Sequence, residues 1–312
     1  MTARDNPGLK RADRAPSRAD VIKERVDVSL IKQGLASSRD KAKELIQAGR
    51  VFEDARQVSK AGELIDADKT LRLEGEINPY VSRGGLKLAK ALDYFGIDLK
   101  DKIALDIGAS TGGFTDRALG AGAMRVYAVD VGLGQLDAKL RSDPRVIVRD
   151  KTNARYLTSE ALGEKVDFVM VDVSFISLDK ILPVLPGLMN PRAQGVALVK
   201  PQFEAGPGQV NRKGVIKDKA IHKRVLKNIL DALPGLGLRA RGLTWSPIRG
   251  SEGNIEYLLW FGAGRGQGGA VDVEDTEDNE DIEETEDIEE TGDIEDVKDV
   301  EATVNKAFQS FA

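Results

Sequence analysis

The sequence predicts an α/β protein: a parallel sheet wound by helices, with a smaller α+β unit in front of it. Three observations carry that prediction. From residue 102 to residue 200, short β-branched apolar runs alternate with helical patterns. The first of those runs, Lys102-Ile-Ala-Leu-Asp-Ile107, feeds a glycine-rich turn, Gly108-Ala-Ser-Thr-Gly-Gly113, that opens a helix. Charged side chains also close five successive strands: Asp106, Asp130, Asp150, Asp172 and Lys200. One strand-end aspartate is an ordinary helix cap or turn former. Five charged groups in succession mark a polar site along the carboxyl edge of a Rossmann-like sheet, where such folds bind ligands.

Taken in order, residues 1–23 hold Arg4, Lys10, Arg11, Arg14, Arg18 and Lys23 among few apolar residues and read as a disordered basic arm. Residues 24–77 form a compact unit. Val26, Val28, Leu30 and Ile31 begin a short helix closed near Gly34, and residues 37–49 form a second, capped by serine and stopped by glycine. Three short strands follow, at residues 50–52, 57–59 and 69–73. Gly75-Glu-Ile-Asn-Pro79 carries the turn signals of a linker.

The larger domain spans residues 78–262. Its first helix follows Gly84 and Gly85 and lines up Leu88, Leu92 and Phe95 on one face; from residue pattern alone, Lys87 reads as a surface lysine. Strand patterns then recur at residues 125–130, 146–148, 166–171 and 195–199. Residues 205–214 form a flexible, basic loop with the character of a lid. A helix over residues 218–233 carries His222, the only histidine, as a surface residue. Two last strands, near residues 238–245 and 255–261, flank the turn Arg249-Gly-Ser-Glu-Gly-Asn254. Glu256 heads an otherwise apolar strand, so it is either exposed or functional. Residues 263–312 read as a disordered acidic tail whose Gly/Gln run and Glu-Asp-Ile-Glu-Glu-Thr pattern bury no core, with Ala307-Phe-Gln-Ser-Phe-Ala312 as a weak apolar sticker.

Composition narrows the chemistry. Among 312 residues there is no cysteine, which excludes disulfides, thiolate zinc sites and thiol nucleophiles. One histidine makes no metal cluster, so no metal is expected. No apolar run reaches the length of a membrane span and the first residues hold no signal segment, so a soluble, cytoplasmic protein is expected. The net charge of −5 averages two unlike parts. Residues 271–312 balance to −16, while residues 1–270 hold 44 basic against 33 acidic side chains, or +11. A basic body points to a polyanionic partner, the alternative being mere solubility.

The glycine turn lets backbone approach a ligand, and the helix behind it offers free N–H groups. Asp130 follows the first turn glycine by 22 residues, where such folds hold a ribose hydroxyl pair. The spacing Gly-x-x-x-Gly-Gly is not that of a dinucleotide site. Asp106, just before the turn, suits a cationic nucleoside bearing an amino acid, which is the description of S-adenosylmethionine. The expected cofactor set is therefore Asp106, Gly108, Ala109, Ser110, Thr111, Gly112, Gly113, Phe114 and Asp130, with Asp150 and Asn153 near the adenine.

The phrases "YVSRGGLKL", "LDIGASTGGFTD", "DVSFISL", "LVKPQFE" and "GNIEYLLW" together resemble the TlyA/haemolysin-A family of ribosomal RNA 2′-O-methyltransferases, which joins an alpha-L (S4-like) RNA-binding module to an FtsJ-like methyltransferase domain. "SRDKAKELIQAGRVFED" is similar to the core of the alpha-L module. The likeness covers about residues 24–262. It implies a Rossmann-like, S-adenosylmethionine-dependent methyltransferase sheet, with ribosomal RNA or a ribosomal subunit as partner and the ribose 2′-hydroxyl of a cytidine as acceptor. It also implies a Lys-Asp-Lys-Glu set at Lys87, Asp172, Lys200 and Glu256.

A 2′-hydroxyl is a poor nucleophile, so either Lys200 takes its proton, with Asp172 and Glu256 orienting the two lysines, or both lysines only position the ribose. Arg39, Lys41, Lys43, Arg50, Arg83, Arg212 and Lys213 are the expected RNA contacts. A noncatalytic RNA-binding or ribosome-assembly factor and, from the family's older name, a haemolysin are the competing readings. The haemolysin requires an amphipathic or apolar membrane segment, and none is visible.

Overall fold

The computed structural model describes residues 22–47, 49–54, 56–74, 78–206, 208–211, 214–250, 252–264 and 299–312. The chain divides into two units, Met1–Ile77 and Asn78–Ala312.

The first unit runs β1 (Lys23–Arg25), α1 (Val26–Lys32), α2 (Arg39–Gln47), β2 (Val51–Glu53), β3 (Arg56–Gln57), β4 (Leu64–Asp66) and β5 (Leu71–Leu73). β3, β2 and β5 form one sheet, and β1 pairs antiparallel with β4 in another. Its core gathers Val26, Leu30, Ala42, Leu45, Ile46, Val51, Val58, Ile65 and Leu71. β1 and β4 lie outside the expected strands, and Lys23 belongs to β1 rather than to a terminal arm. The reason is that Lys-Glu-Arg has no apolar alternation; backbone pairing with residues 64–66 makes it a strand. Asp27 is buried beneath Arg25 and Arg39, at 2.9 and 3.1 Å, and the Arg25 hydrogen bonds hold its carboxyl down at about 2.

The second unit begins with α3 (Gly84–Phe95) and continues through β6 (Ile103–Ile107), α4 (Gly113–Gly120), β7 (Arg125–Val129), α5 (Ala138–Arg141), β8 (Val146–Arg149), α6 (Ser159–Leu162), β9 (Val166–Val171), α7 (Leu185–Leu188), β10 (Met189–Val199), α8 (Pro201–Glu204), α9 (Lys219–Ala232), β11 (Leu238–Trp245), β12 (Tyr257–Ala263) and α10 (Val300–Ser310). One seven-stranded sheet has the order β11-β12-β10-β9-β6-β7-β8. The five strands from β10 to β8 are parallel, as the alternating pattern demands. β12 alone departs from it, running antiparallel to both β10 and β11, so that β11 keeps the sense of the parallel strands. Among the described residues, the connection from β11 to β12 holds no helix to carry the chain back across the sheet, so the strand returns in the opposite sense.

Both faces of the sheet are covered, which explains its continuous apolar strands. Ala104, Phe168 and Met170 face Leu88, Leu92 and Phe95 of α3 and Phe114 and Ala118 of α4. Leu105, Val169, Val171 and Val199 face the opposite layer, which holds Val225, Leu226 and Ile229 of α9.

The tail expectation fails at its end. Residues 299–312 carry a helix whose Thr303, Val304 and Ala307 are buried in that second layer. Val300, Thr303, Val304, Ala307, Phe308 and Phe311 follow helical spacing, a stripe that the acidic composition of the preceding residues conceals. His222 is likewise not a surface residue. It is fully buried, its ring nitrogens 2.9 Å from Tyr257 Oη and 3.1 Å from the Ile216 carbonyl, and the Phe308 ring of α10 meets it edge-on at 5.0 Å.

Candidate active site

The glycine turn is held from below by β7. The N–H groups of Gly108 and Ala109 donate to the Val129 carbonyl at 2.9 and 3.1 Å. Gly108, at φ +85°, also comes so close to the next strand that a Cβ would stand 2.5 Å from the Asp172 carbonyl. Glycine is required there by both conformation and space. Gly85 and Gly113 have a similar cause, a Cβ on Gly85 falling 2.2 Å from the Tyr80 ring. A Cβ on Gly113 would lie 2.8 Å from Gly85 N and 3.0 Å from Gly84 Cα, so the first turns of α3 and α4 meet backbone to backbone. Asp116 completes the joint by accepting the Val81 N–H at 2.8 Å.

Asp106 is wholly buried beneath this turn. Its Oδ2 accepts from Thr115 N at 3.0 Å and Thr115 Oγ1 at 2.6 Å, while Oδ1 has no partner. Burial pushes its carboxyl up to about 7 against those two bonds, and the charges of Asp172 and Asp130 add to the rise. Asp130 accepts from Ser110 N at 2.8 Å and from Gly132 N at 2.7 Å, one bond per oxygen. Each oxygen keeps a lone pair for a further donor.

Ala109 is buried, and Ser110 takes a left-handed φ of +48°. Thr111 offers its carbonyl to Asp137 N, and Gly112 is left-handed at the head of α4. Phe114 departs from the expected role: its side chain belongs to the core under the turn. Asp150 pairs with Arg141 at 2.9 Å, and Asn153 caps the turn Ala154–Tyr156 by accepting Arg155 N.

The four residues implied by resemblance stand as two ion pairs: Lys87 of α3 with Glu256, just before β12, and Lys200 with Asp172, just past the ends of β10 and β9. Lys87 is not the surface lysine its local pattern suggests. It is 9% exposed, and its Nζ lies 2.6 Å from Oε2 of Glu256, itself 3% exposed. Lys200 Nζ lies 2.6 Å from Asp172 Oδ1 and donates to Ser174 Oγ at 2.8 Å. Val199 of β10 is in register with Tyr257 of β12, so the residues one step beyond, Lys200 and Glu256, flank each other at the same edge. Glu204 braces the loop after β9: it accepts from Ser177 Oγ at 2.5 Å and Leu178 N at 2.9 Å, and burial raises its carboxyl.

Sequence reasoning missed two residues here. Ser174 shares the Lys200 ammonium. Phe175, 91% exposed at φ +63°, presents an aromatic ring to solvent 5.2 Å from the Phe203 ring. An apolar letter in a loop gives no sign of such exposure.

Of the expected RNA contacts, Arg39 is engaged with Asp27, Lys43 with Asp40 at 2.9 Å, Arg50 with the Glu74 carbonyl and Arg83 with the Arg249 carbonyl at 3.0 Å. Lys41 lies on α2 between Arg39 and Lys43, and Arg212 and Lys213 lie outside the described residues. Among the described residues, no three His, Asp or Glu side chains group to hold a metal, and no helix is long and apolar enough to cross a membrane.

A glycine-rich strand-to-helix turn beside a lysine–carboxylate quartet, three of whose members are buried, on a sheet of this order, defines a methyltransferase. The chain belongs to the FtsJ-like methyltransferase family, whose pattern it matches over residues 80–263. It is 51% identical over 247 residues to YqxC of Bacillus subtilis, a chain named for rRNA methyl transfer, covering 78% of this chain and 88% of that one. It is 45% identical over 238 residues to the 16S/23S rRNA (cytidine-2′-O)-methyltransferase TlyA of Mycobacterium tuberculosis, covering 76% and 89%. A solved structure from Streptococcus thermophilus that carries a hemolysin name superposes with a TM-score of 0.68 at 41% identity, covering 93% of this chain and 98% of that one.

Proposed function

We propose that this chain transfers the methyl group of S-adenosylmethionine to the 2′-hydroxyl of a cytidine in ribosomal RNA. The observation that carries the reading is the pair of lysine–carboxylate contacts, Lys87–Glu256 and Lys200–Asp172, in which Lys87 of α3 reaches down to the strand edge that holds the other three, beside the glycine turn. The residues present suit the cofactor. The partnerless Oδ1 of Asp106 is an unmet buried acceptor that a cation satisfies, the glycines leave room for close approach, and Asp130 keeps lone pairs for ribose hydroxyls. When bound, S-adenosylmethionine supplies a sulfonium methyl open to in-line attack.

The chain's own residues supply the rest. Lys87 and Lys200 flank the ribose; Lys200, once it has released a proton and stands as the neutral amine, takes the 2′-hydroxyl proton as the oxygen–methyl bond forms, while the methyl–sulfur bond breaks and its electron pair stays on sulfur. Asp172 and Ser174 aim Lys200, while Glu256 offsets the charge of Lys87 in a site with little water. The alternative, in which both lysines only position the ribose, makes a different prediction for Lys200→Arg. Loss of a proton acceptor lowers single-turnover transfer by roughly 10²–10⁴-fold with cofactor affinity kept; a near wild-type rate at saturating RNA rejects the base role.

Residues 24–77 serve as the alpha-L module, with Lys41 and Lys43 of α2 and the arginines around them meeting phosphates. Arg39 has a second duty there, because it helps cover Asp27. The test of the whole reading is mass mapping of ribose methylation in ribosomal RNA from cells with and without this protein. A 2′-O-methylcytidine present only with the wild type supports it, and identical maps overturn it.

A further inference from the structure

The C-terminal helix reaches the active site through one arginine. α10 is anchored along its length on α9: Lys223 pairs with Glu301 at 2.5 Å, Lys219 reaches Asn305 at 3.3 Å, and Phe308 closes over the buried His222. Its last turn ends at Phe311, whose carbonyl accepts a hydrogen bond from Arg249 Nη2 and whose ring lies 5.2 Å below the Arg249 guanidinium. Arg249 belongs to the connection between β11 and β12. Its own carbonyl accepts from Arg83 Nη2 at 3.0 Å.

Arg83 and Lys87 stand four residues apart at the start of α3, so they share a helix face. Both reach the same segment, Arg83 at residue 249 and Lys87 at Glu256. Gly250, the next residue, is buried against the Glu256 carboxylate so closely that a Cβ would overlap Oε1. Gly250 N also donates to the Asn254 carbonyl at 2.9 Å, so a shift of Arg249 is passed into a closed turn rather than absorbed by it.

We propose that Arg249 is a positioning residue: held by Phe311 of the C-terminal helix and tied to Arg83, it seats Gly250 against Glu256 and so sets where Lys87 points. The assignment rests on the methyl-transfer reading above. Arg249 itself is exposed, so its contacts contribute little to global stability, and their consequence is geometric. Buried Val304 and Ala307 keep α10 docked without them.

The test compares wild type, Arg249→Ala, Arg249→Lys, a chain ending at Ser310, and the combination of Arg249→Ala with that truncation. Each is measured for melting temperature, cofactor affinity and single-turnover transfer at saturating ribosomal RNA. Saturation removes any loss due to weaker RNA binding, and the truncated chain still carries Arg249.

Arg249→Ala and the truncation should each lower the rate constant roughly 10- to 100-fold, the scale of a misplacement near 1 Å, with melting temperature and cofactor affinity unchanged. The combined form should be no slower than either alone, because both break one connection. Arg249→Lys, which keeps a donor for the Phe311 carbonyl, should recover part of the rate. A wild-type rate in Arg249→Ala, or losses that multiply in the combined form, overturns the proposal. A second readout separates this from failure of the methyl-transfer reading: the side-chain ammonium resonance of Lys87 in RNA-free protein, assigned by its loss in Lys87→Met. Arg249→Ala and Gly250→Ala should both shift that resonance even if no RNA is methylated. An unmoved resonance in Arg249→Ala overturns the positioning role, whatever Gly250→Ala does.

Discussion

Replacing Asp106 by asparagine tests the cofactor cradle at its most buried point. In the folded chain burial holds this carboxyl up at about 7, against an ordinary value of 3.8. Between those two values the unfolded chain has lost the proton and the folded chain keeps it, so rising pH erodes stability throughout that window and no further above it. Three pH units at 1.36 kcal/mol each make the loss on the order of 4 kcal/mol. The replacement side chain would still accept both Thr115 bonds through its carbonyl, and its amide would stand where Oδ1 has no partner. That buried amide adds an offset of about 1–3 kcal/mol, but the offset does not change with pH.

The assay is urea unfolding of both cofactor-free proteins from pH 4 to pH 8. The stability of Asp106→Asn relative to wild type should climb by about 4 kcal/mol across the range. Calorimetry should show the opposite effect on function: wild-type affinity for S-adenosylmethionine rises with pH through 7 as the carboxylate forms. The variant should bind more weakly by about 1.5–3 kcal/mol, the loss of a charged hydrogen bond. A flat stability difference refutes a neutral buried carboxyl, and equal affinities refute its place in the cradle.

Two further outcomes follow from the same structure. Lys41→Gln with Lys43→Gln, made together and leaving Arg39 to cover Asp27, should weaken RNA binding and reduce its salt slope by about 2 if both lysines meet phosphates; an unaltered slope moves the RNA surface elsewhere. His222 is kept neutral by burial, so its folded value lies below its ordinary 6.5. Stability is therefore intact above 6.5 and falls as the pH drops toward the folded value, because only the unfolded chain takes the proton readily. His222→Gln should remove that acid sensitivity in urea unfolding from pH 7.5 to pH 5, and parallel curves for the two proteins would count against the buried neutral ring.

Much of this molecule was legible in local pattern. The β9 strand, the α3 face of Leu88, Leu92 and Phe95, and the glycine turn all depend on periodicity or on backbone conformation, which neighbouring residues announce. The strand-end charges were visible for the same reason, since strand length dictates where each run stops. What escaped were features made by partners distant in sequence. β1 exists because residues 64–66 pair with it, β12 reverses because the described residues before it form no helix to carry the chain back, and α10 is a helix because α9 and β11 bury its stripe.

The candidate site divides in the same way. Resemblance named Lys87, Asp172, Lys200 and Glu256, but sequence alone left Lys87 as a surface lysine and Glu256 as exposed or functional. Tertiary structure decided both, by bringing residues 169 positions apart to 2.6 Å inside the protein. It also supplied the reason for Gly85, Gly113 and Gly250, whose missing side chains make room for groups that no local pattern reveals. Periodicity is written along the chain, whereas a close approach is a property of two segments at once, and only the fold chooses the second.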